Sequence, residues 1–146
     1  MTRSAIPRVP EFLVQLRQTQ HAVRTLLDAG LAETGLTMPQ YAVLAEIDRQ
    51  GELSASDLAR EFGMTAQTVN VLVQGLETSG QLRRDPHPTH GRILLASLTP
   101  AGKKALKQGL QVALGVQDRL LSGVPASERP KLLRQLKAIE RTSAEG

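Results

Sequence analysis

The chain has 146 residues and no cysteine, which excludes disulfide scaffolds, Cys-ligated zinc, thiol catalysis and any cysteine-based redox sensor. No apolar run approaches the roughly 18 residues of a membrane span, residues 1–10 lack the apolar core of a signal peptide, and three aromatics (Phe12, Tyr41, Phe62) are too few for a single-strand stacking platform. The expectation is a cytoplasmic protein without a membrane partner, whose net charge of +4 is small enough that any nucleic-acid reading depends on where the charge lies.

Pro7 and Pro10 precede a stretch in which Phe12, Leu13, Leu16, Val23, Leu27 and Leu31 recur at helical spacing, so a first helix is predicted from about Glu11 to Glu33, stopped near Gly35. Thr37 caps a second helix, Pro39 to Arg49, with Val43, Leu44 and Ile47 as its apolar stripe and Gly51 as its end. Glu52-Leu53-Ser54 reads as short and extended. Ser54 or Ser56 opens a third helix through Leu58, Ala59 and Phe62, closed by Gly63. Thr65 caps a fourth, Ala66 to Ser79, ended by Gly80. Its Val69, Leu72, Val73 and Leu76 form a core-facing stripe, while Gln67, Asn70, Val71, Gln74 and Thr78 share an opposite face without charge.

Gln81 to Asp85 and Arg92 to Leu98 read as two strands joined by Pro86-His87-Pro88-Thr89-His90-Gly91, a composition that suits an exposed hairpin tip. Thr99-Pro100 opens a fifth helix through Leu106, Leu110, Leu114, Leu120 and Leu121, which Gly123 and Pro125 break. Ser127 then caps a sixth, with Leu132, Leu133, Leu136 and Ile139 on one face. The expected class is mainly α with a small two- or three-stranded β-wing.

Charge is unevenly spread along this order. Residues 37–80 are net −4, whereas residues 81–107 carry Arg83, Arg84, Arg92, Lys103, Lys104 and Lys107 against Asp85 alone. That segment's +5 exceeds the net charge of the whole chain, and its basic groups are assigned to the wing.

Helix, short strand, helix, tight turn, helix and two-stranded hairpin is the order of a winged helix-turn-helix, with Gly63-Met64-Thr65 as the turn. The fourth helix can then lie in a DNA major groove. Candidate contacts on it are Thr65, Gln67, Thr68, Asn70, Val71 and Gln74: amides suit adenine, and Val71 suits a thymine methyl. Phosphate neutralisation falls to the wing through Arg83, Arg84 and Arg92, with His90 beside them. The competing reading is a winged-helix protein-interaction module with no operator of its own.

Gly35-Leu36-Thr37-Met38-Pro39-Gln40-Tyr41-Ala42-Val43-Leu44, Ser56 to Gly63, Thr65 to Glu77, and Arg83-Arg84-Asp85-Pro86 through Gly91-Arg92 to Leu98-Thr99-Pro100-Ala101-Gly102 resemble the MarR (multiple-antibiotic-resistance regulator) family over residues 12 to 140. The resemblance implies an obligate homodimer through the first, fifth and sixth helices. Two winged domains (residues 35–99) would sit on a pseudo-palindromic double-stranded operator, with residues 10–34 and 100–143 forming the helical dimerisation region. It implies transcriptional regulation, usually repression, often relieved by a small aromatic or anionic ligand in a cleft where His21, Arg24 and Tyr41 are candidates. The departures are His90, where the family often has Asp before the wing Gly-Arg, and Val71 and Gly75, where Arg is common.

No cofactor is implied. His87-x-x-His90 has metal-like spacing, but it sits in an exposed Pro-rich loop with no Cys and only Asp85 nearby, so no metal site is assigned. Carboxylate pairs such as Glu46/Asp48 and Asp57/Glu61 have nothing to raise a pKa, and neither a nucleophile elbow nor a phosphate-binding glycine loop is present. No catalytic residue is assigned.

Overall fold

A computed structural model describes residues 9–145, so Pro7 lies outside the described residues. The elements are α1 (Glu11–Leu31), a 3-10 turn (Ala32–Thr34), α2 (Met38–Gln50), β1 (Leu53–Ser54), α3 (Ala55–Phe62) and α4 (Ala66–Thr78). After these come β2 (Leu82–Pro86), β3 (Leu94–Leu98), α5 (Pro100–Leu121), a second 3-10 turn (Ala126–Glu128) and α6 (Arg129–Ala144). None of the described helices is long and apolar enough to cross a membrane. The three strands form one antiparallel sheet in the order β1-β3-β2.

Local chemistry starts these helices where side chains can satisfy the free amides of the first turn. Thr37 and Gln40 form a reciprocal capping box on α2, with the Gln40 amide 3.3 Å from Thr37 Oγ1 and the Thr37 amide 3.0 Å from Gln40 Oε1. On α3 the box is Ser54 with Asp57: the Asp57 amide donates to Ser54 Oγ, and Asp57 Oδ2 accepts from the Ser54 amide and hydroxyl. Ser54, not Ser56, is therefore the cap. Thr65 and Thr99 accept from the amides of Thr68 (3.2 Å) and Gly102 (3.1 Å).

Three boundaries and one burial differ from expectation. The first helix stops at Leu31 because a 3-10 turn intervenes before Gly35 takes φ +73°. The wing ladder runs from Leu82↔Leu98 to Pro86↔Leu94, so Pro86 ends β2 while Arg92 and Ile93 belong to the tip. Leu72 is only half-buried, leaving Val69, Val73 and Leu76 as the buried stripe of α4. Ser127 does not cap α6: it sits inside the second 3-10 turn, and α6 has no side-chain cap. There the Arg129 guanidinium donates to the carbonyls of Leu121 and Val124, both at 3.0 Å, satisfying the end of α5 instead.

The core joins α2, α3, α4, the sheet and the start of α5. Leu44, Ile47, Leu58, Val69, Val73 and Leu76 lie at its centre, closed by Leu53, Leu82, Ala96 and Ala105. Outside it, α1 crosses α5 so closely that a Cβ on Gly30 would lie 2.5 Å from Val112 Cγ1. Apolar side chains of α1, α5 and α6, among them Phe12, Leu13, Leu114, Leu133, Leu136 and Ile139, remain exposed within the single chain.

Candidate nucleic-acid interface

The turn between α3 and α4 depends on Gly63, whose φ of +60° is accessible to glycine at little cost. The Met64 amide then reaches back to the Ala59 carbonyl at 3.0 Å, and Thr65 starts α4. With Val69, Val73 and Leu76 anchored in the core, Gln67, Thr68, Asn70, Val71 and Gln74 project to solvent. Val71 is 66% exposed although apolar, an outward placement that folding alone does not reward. The Thr68 hydroxyl is engaged with Thr65 Oγ1 at 2.8 Å, whereas Gln67, Asn70 and Gln74 present their amides.

The basic groups of residues 81–107 do not all lie on the wing. Lys103, Lys104 and Lys107 stand on α5, so only Arg83, Arg84 and Arg92 belong to the hairpin. Arg83 Nε pairs with Asp85 Oδ2 at 2.8 Å, and Arg84 Nε pairs with Glu77 Oε2 of α4 at 2.5 Å. Arg84 is only 23% exposed and ties the wing to the end of the helix. Arg92, exposed past the tip, forms no ion pair among the described residues.

A polar cleft of about 260 Å³ opens between α4 and the wing, lined by Ser54, Ser56, Asn70, Arg84, Arg92 and Leu94 among others. Two guanidinium groups, an amide and two hydroxyls thus face one concavity, the donor set that suits a phosphate backbone passing between helix and wing. Ser54 and Ser56 were not among the sequence candidates. Serines at the start of a helix are read first as caps, which Ser54 also is. His90 is exposed on the tip beside this cleft, its carbonyl accepting the Ile93 amide at 2.8 Å.

The second candidate cluster is only partly assembled. Tyr41 lines a cavity of about 440 Å³ between α2 and α5 with Ala45, Asp48, Lys103, Leu106, Lys107 and Leu110. Its ring lies against α5 at a glycine: a Cβ on Gly109 would stand 2.7 Å from Tyr41 Cε2. Burial pushes the Tyr41 hydroxyl above its usual pKa. His21 and Arg24 do not line this cavity; both are exposed on α1, where Arg24 pairs with Asp28 at 3.7 Å. The cations that do line it, Lys103 and Lys107, are four apart on one helix, a spacing readable in sequence once the charge is assigned to α5.

The surface carboxylates are engaged structurally. Arg49 and Gln50 hold Glu46 below the usual carboxylate range, and Ser54 does the same for Asp57. Among the described residues no three His, Asp or Glu side chains converge as a metal site would require.

Comparison with known proteins agrees with this arrangement. A family model described as "MarR family" matches residues 34–93. The HTH-type transcriptional repressor Rv2887 of Mycobacterium tuberculosis is 29% identical over 117 residues, 80% of this chain and 84% of that one. A solved probable transcriptional regulator from Pseudomonas aeruginosa is 30% identical with a TM-score of 0.80, covering 88% of this chain and 96% of that chain. Rv2887 in complex with DNA gives a TM-score of 0.75 at 26% identity, over 90% of this chain and 98% of that chain. Rv2887 in complex with salicylic acid gives 0.72 at 27% identity, over 91% and 98%.

Proposed function

The chain belongs to the MarR family of DNA-binding transcription regulators, which are not enzymes, and from that premise we propose that it acts as a homodimeric, ligand-released repressor. It binds a pseudo-palindromic double-stranded operator in the cytoplasm. The observation that carries this reading is the row of exposed amides on α4, Gln67, Asn70 and Gln74, beside the cleft holding Arg92. Thr65, Gln67, Thr68, Asn70, Val71 and Gln74 read bases or fix the helix in the major groove. Arg92, with Arg83 and His90, holds the flanking backbone, while Arg84, paired with Glu77, braces the wing against α4.

Residues 35–99 form the DNA-binding unit, and residues 10–34 and 100–143 form the dimerisation arms. Support for the arms comes from Phe12, Leu13, Leu133, Leu136 and Ile139, apolar and exposed on α1 and α6, which a second copy would cover. The dimer sets the two α4 helices about 34–36 Å apart, one turn of DNA.

The effector site is the Tyr41 cavity. Two lysines against one carboxylate, Asp48, over a floor of Ala45, Leu106 and Leu110 suit a small aromatic anion, and Rv2887 has been solved with salicylic acid. Of the three residues expected there, Tyr41 lines the cavity, while His21 and Arg24 stand on α1 outside its lining. A ligand wedged between α2 and α5 favours one spacing of the two DNA-binding units over another.

The test is a binding titration of wild type and Arg92→Ala against duplex DNA from upstream of the chain's own coding sequence, at several salt concentrations. Wild type should prefer this DNA over random duplex. Arg92→Ala should weaken both and flatten the log–log salt slope by about 0.9 per lost phosphate contact. Full affinity with an unchanged slope would refute the wing assignment. Absence of any duplex preference would leave the protein-interaction reading.

A further inference from the structure

The wing tip, residues 87–93, has to hold its shape with little backbone ladder, since β2 and β3 end at the Pro86↔Leu94 pair. Pro88 has no amide to offer. Of the amides that remain, His87 donates to the Ile93 carbonyl at 2.7 Å and Ile93 donates to the His90 carbonyl at 2.8 Å. The amides of Thr89 and His90 have a different partner: both donate to Nδ1 of the His87 ring, at 3.1 and 3.2 Å. The Thr89 hydroxyl stands 3.3 Å from the same nitrogen. The imidazole thus substitutes for a main-chain acceptor across the turn that leads into His90, Gly91 and Arg92.

Because backbone amides can only donate, Nδ1 must present its lone pair here, and the ring's proton must sit on Nε2. A second proton on this ring has nowhere to go but Nδ1, which would remove both bonds at once. The other ionisable groups of the wing are distributed around it. The His90 ring lies 5.1 Å away, Asp85 is held by Arg83, Arg84 is held by Glu77, and Arg92 lies beyond the tip.

We propose that His87 is the positioning residue of the wing: its neutral ring, accepting through Nδ1, fixes the turn that carries Arg92, and protonation of the ring releases that turn. The inference rests on the reading of the wing as a DNA-contacting element for its consequence, though not for its geometry. It differs from a general acid response of DNA binding, because added positive charge alone would strengthen attraction to phosphate. Release of the turn acts in the opposite direction, by loosening the group that must meet the backbone.

The test uses the full-length protein, first without DNA. Long-range proton–nitrogen NMR of the imidazoles should show His87 Nδ1 as the unprotonated nitrogen near pH 7.5. Hydrogen-exchange protection of the Thr89 and His90 amides should fall about tenfold to thirtyfold in His87→Ala. His87→Asn should restore it, because an Asn side-chain oxygen accepts from the amide two residues on in the same way. On acidification far enough for the same spectra to show the ring doubly protonated, protection should be lost in wild type and kept in His87→Asn.

Operator affinity at neutral pH should drop about threefold to tenfold in His87→Ala and return to within about twofold of wild type in His87→Asn. A protonated Nδ1 at neutral pH, unchanged protection in His87→Ala, or failure of His87→Asn to restore it would overturn the proposal. If these NMR results hold while Arg92→Ala leaves DNA binding unaltered, the wing's role in DNA contact fails and the role of His87 in the turn stands.

Discussion

Gly102, the third residue of α5, is where the helix touches the base of the wing most closely. A Cβ there would collide with the carbonyl oxygen of Gln81 and lie 3.0 Å from its carbonyl carbon. The obstacle is backbone, so no rotamer change can relieve it. The junction is also tied by three hydrogen bonds through Thr99: its amide to Gln81 O at 3.2 Å, its hydroxyl to Gly80 O at 2.5 Å, and the Gly102 amide to that hydroxyl at 3.1 Å. Overpacking of this kind costs about 1–3 kcal/mol, and loss of the cap adds about 1 kcal/mol. The better helix propensity of alanine returns up to about 1 kcal/mol. Gly102→Ala should therefore destabilise by about 1–3 kcal/mol. At about 2–4 °C per kcal/mol for a chain of this size, that is a fall in Tm of roughly 2–12 °C. The control is Gly75→Ala in α4, where a Cβ meets only Gln40 Nε2 at 3.5 Å. Ordinary contact and a gain in helix propensity should there raise Tm by about 2–4 °C. Melting curves by circular dichroism at one fixed protein concentration give both numbers, since association makes Tm concentration-dependent. A Gly102→Ala protein melting within about 2 °C of wild type would refute the close-approach argument, as would a Gly75→Ala protein equally destabilised.

Gln67→Ala should lower discrimination between operator and random duplex by about 1–3 kcal/mol at constant salt, read as a ratio of dissociation constants; equal weakening of both DNAs would make the residue positional. Asp57 sits below its ordinary pKa because Ser54 hydrogen-bonds its carboxylate, with Arg60 adding a smaller effect. A depressed folded pKa means stabilisation that is present at neutral pH and lost as pH falls through that value, so Ser54→Ala should cost about 1 kcal/mol at pH 7. Its loss of stability on acidification should also be shallower than that of wild type. Urea midpoints followed from neutral to strongly acid pH measure both, and an acid limb identical to that of wild type would refute the coupling.

What was legible in the sequence was what short-range chemistry decides. Thr37, Thr65 and Thr99 start their helices because a side-chain oxygen three residues before an amide needs no tertiary context to find it. The split of α4 into a buried stripe and an exposed polar face was equally local, because helical period alone divides Val69, Val73 and Leu76 from Gln67, Asn70 and Gln74. The wing ends were not legible, because the ladder's last pair is set by cross-strand register and by where His87 takes over from it. The start of α6 was missed for a similar reason. Arg129 serves carbonyls five and eight residues earlier, an arrangement that exists only once α5 has ended in place. Of the ligand candidates, Tyr41 was legible as a half-buried aromatic on a helix. The lysines facing it were not, because counting charge by segment merged α5 with the wing.

The three wing arginines are held differently. An exposed pair such as Arg83–Asp85, with Arg83 70% exposed, is worth about 0–1 kcal/mol, so Arg83 can exchange its carboxylate for a phosphate at small cost. Arg84 is in a different position. At 23% exposure, bonded to Glu77 of α4, it fixes the angle between wing and helix, and moving it to a phosphate would give up the geometry that brings the phosphate within reach. Arg92 alone among the three stands unengaged and already faces Asn70 across the polar cleft. Among the described residues the wing thus has one free cation, one exchangeable cation and one brace, and on the proposed reading it would supply few sequence-independent contacts. On the proposed reading, the preference for one DNA over another falls to the first turns of α4, where Gln67, Asn70 and Gln74 expose amides beside an outward Val71, the helix's one charge, Glu77, being taken up by Arg84.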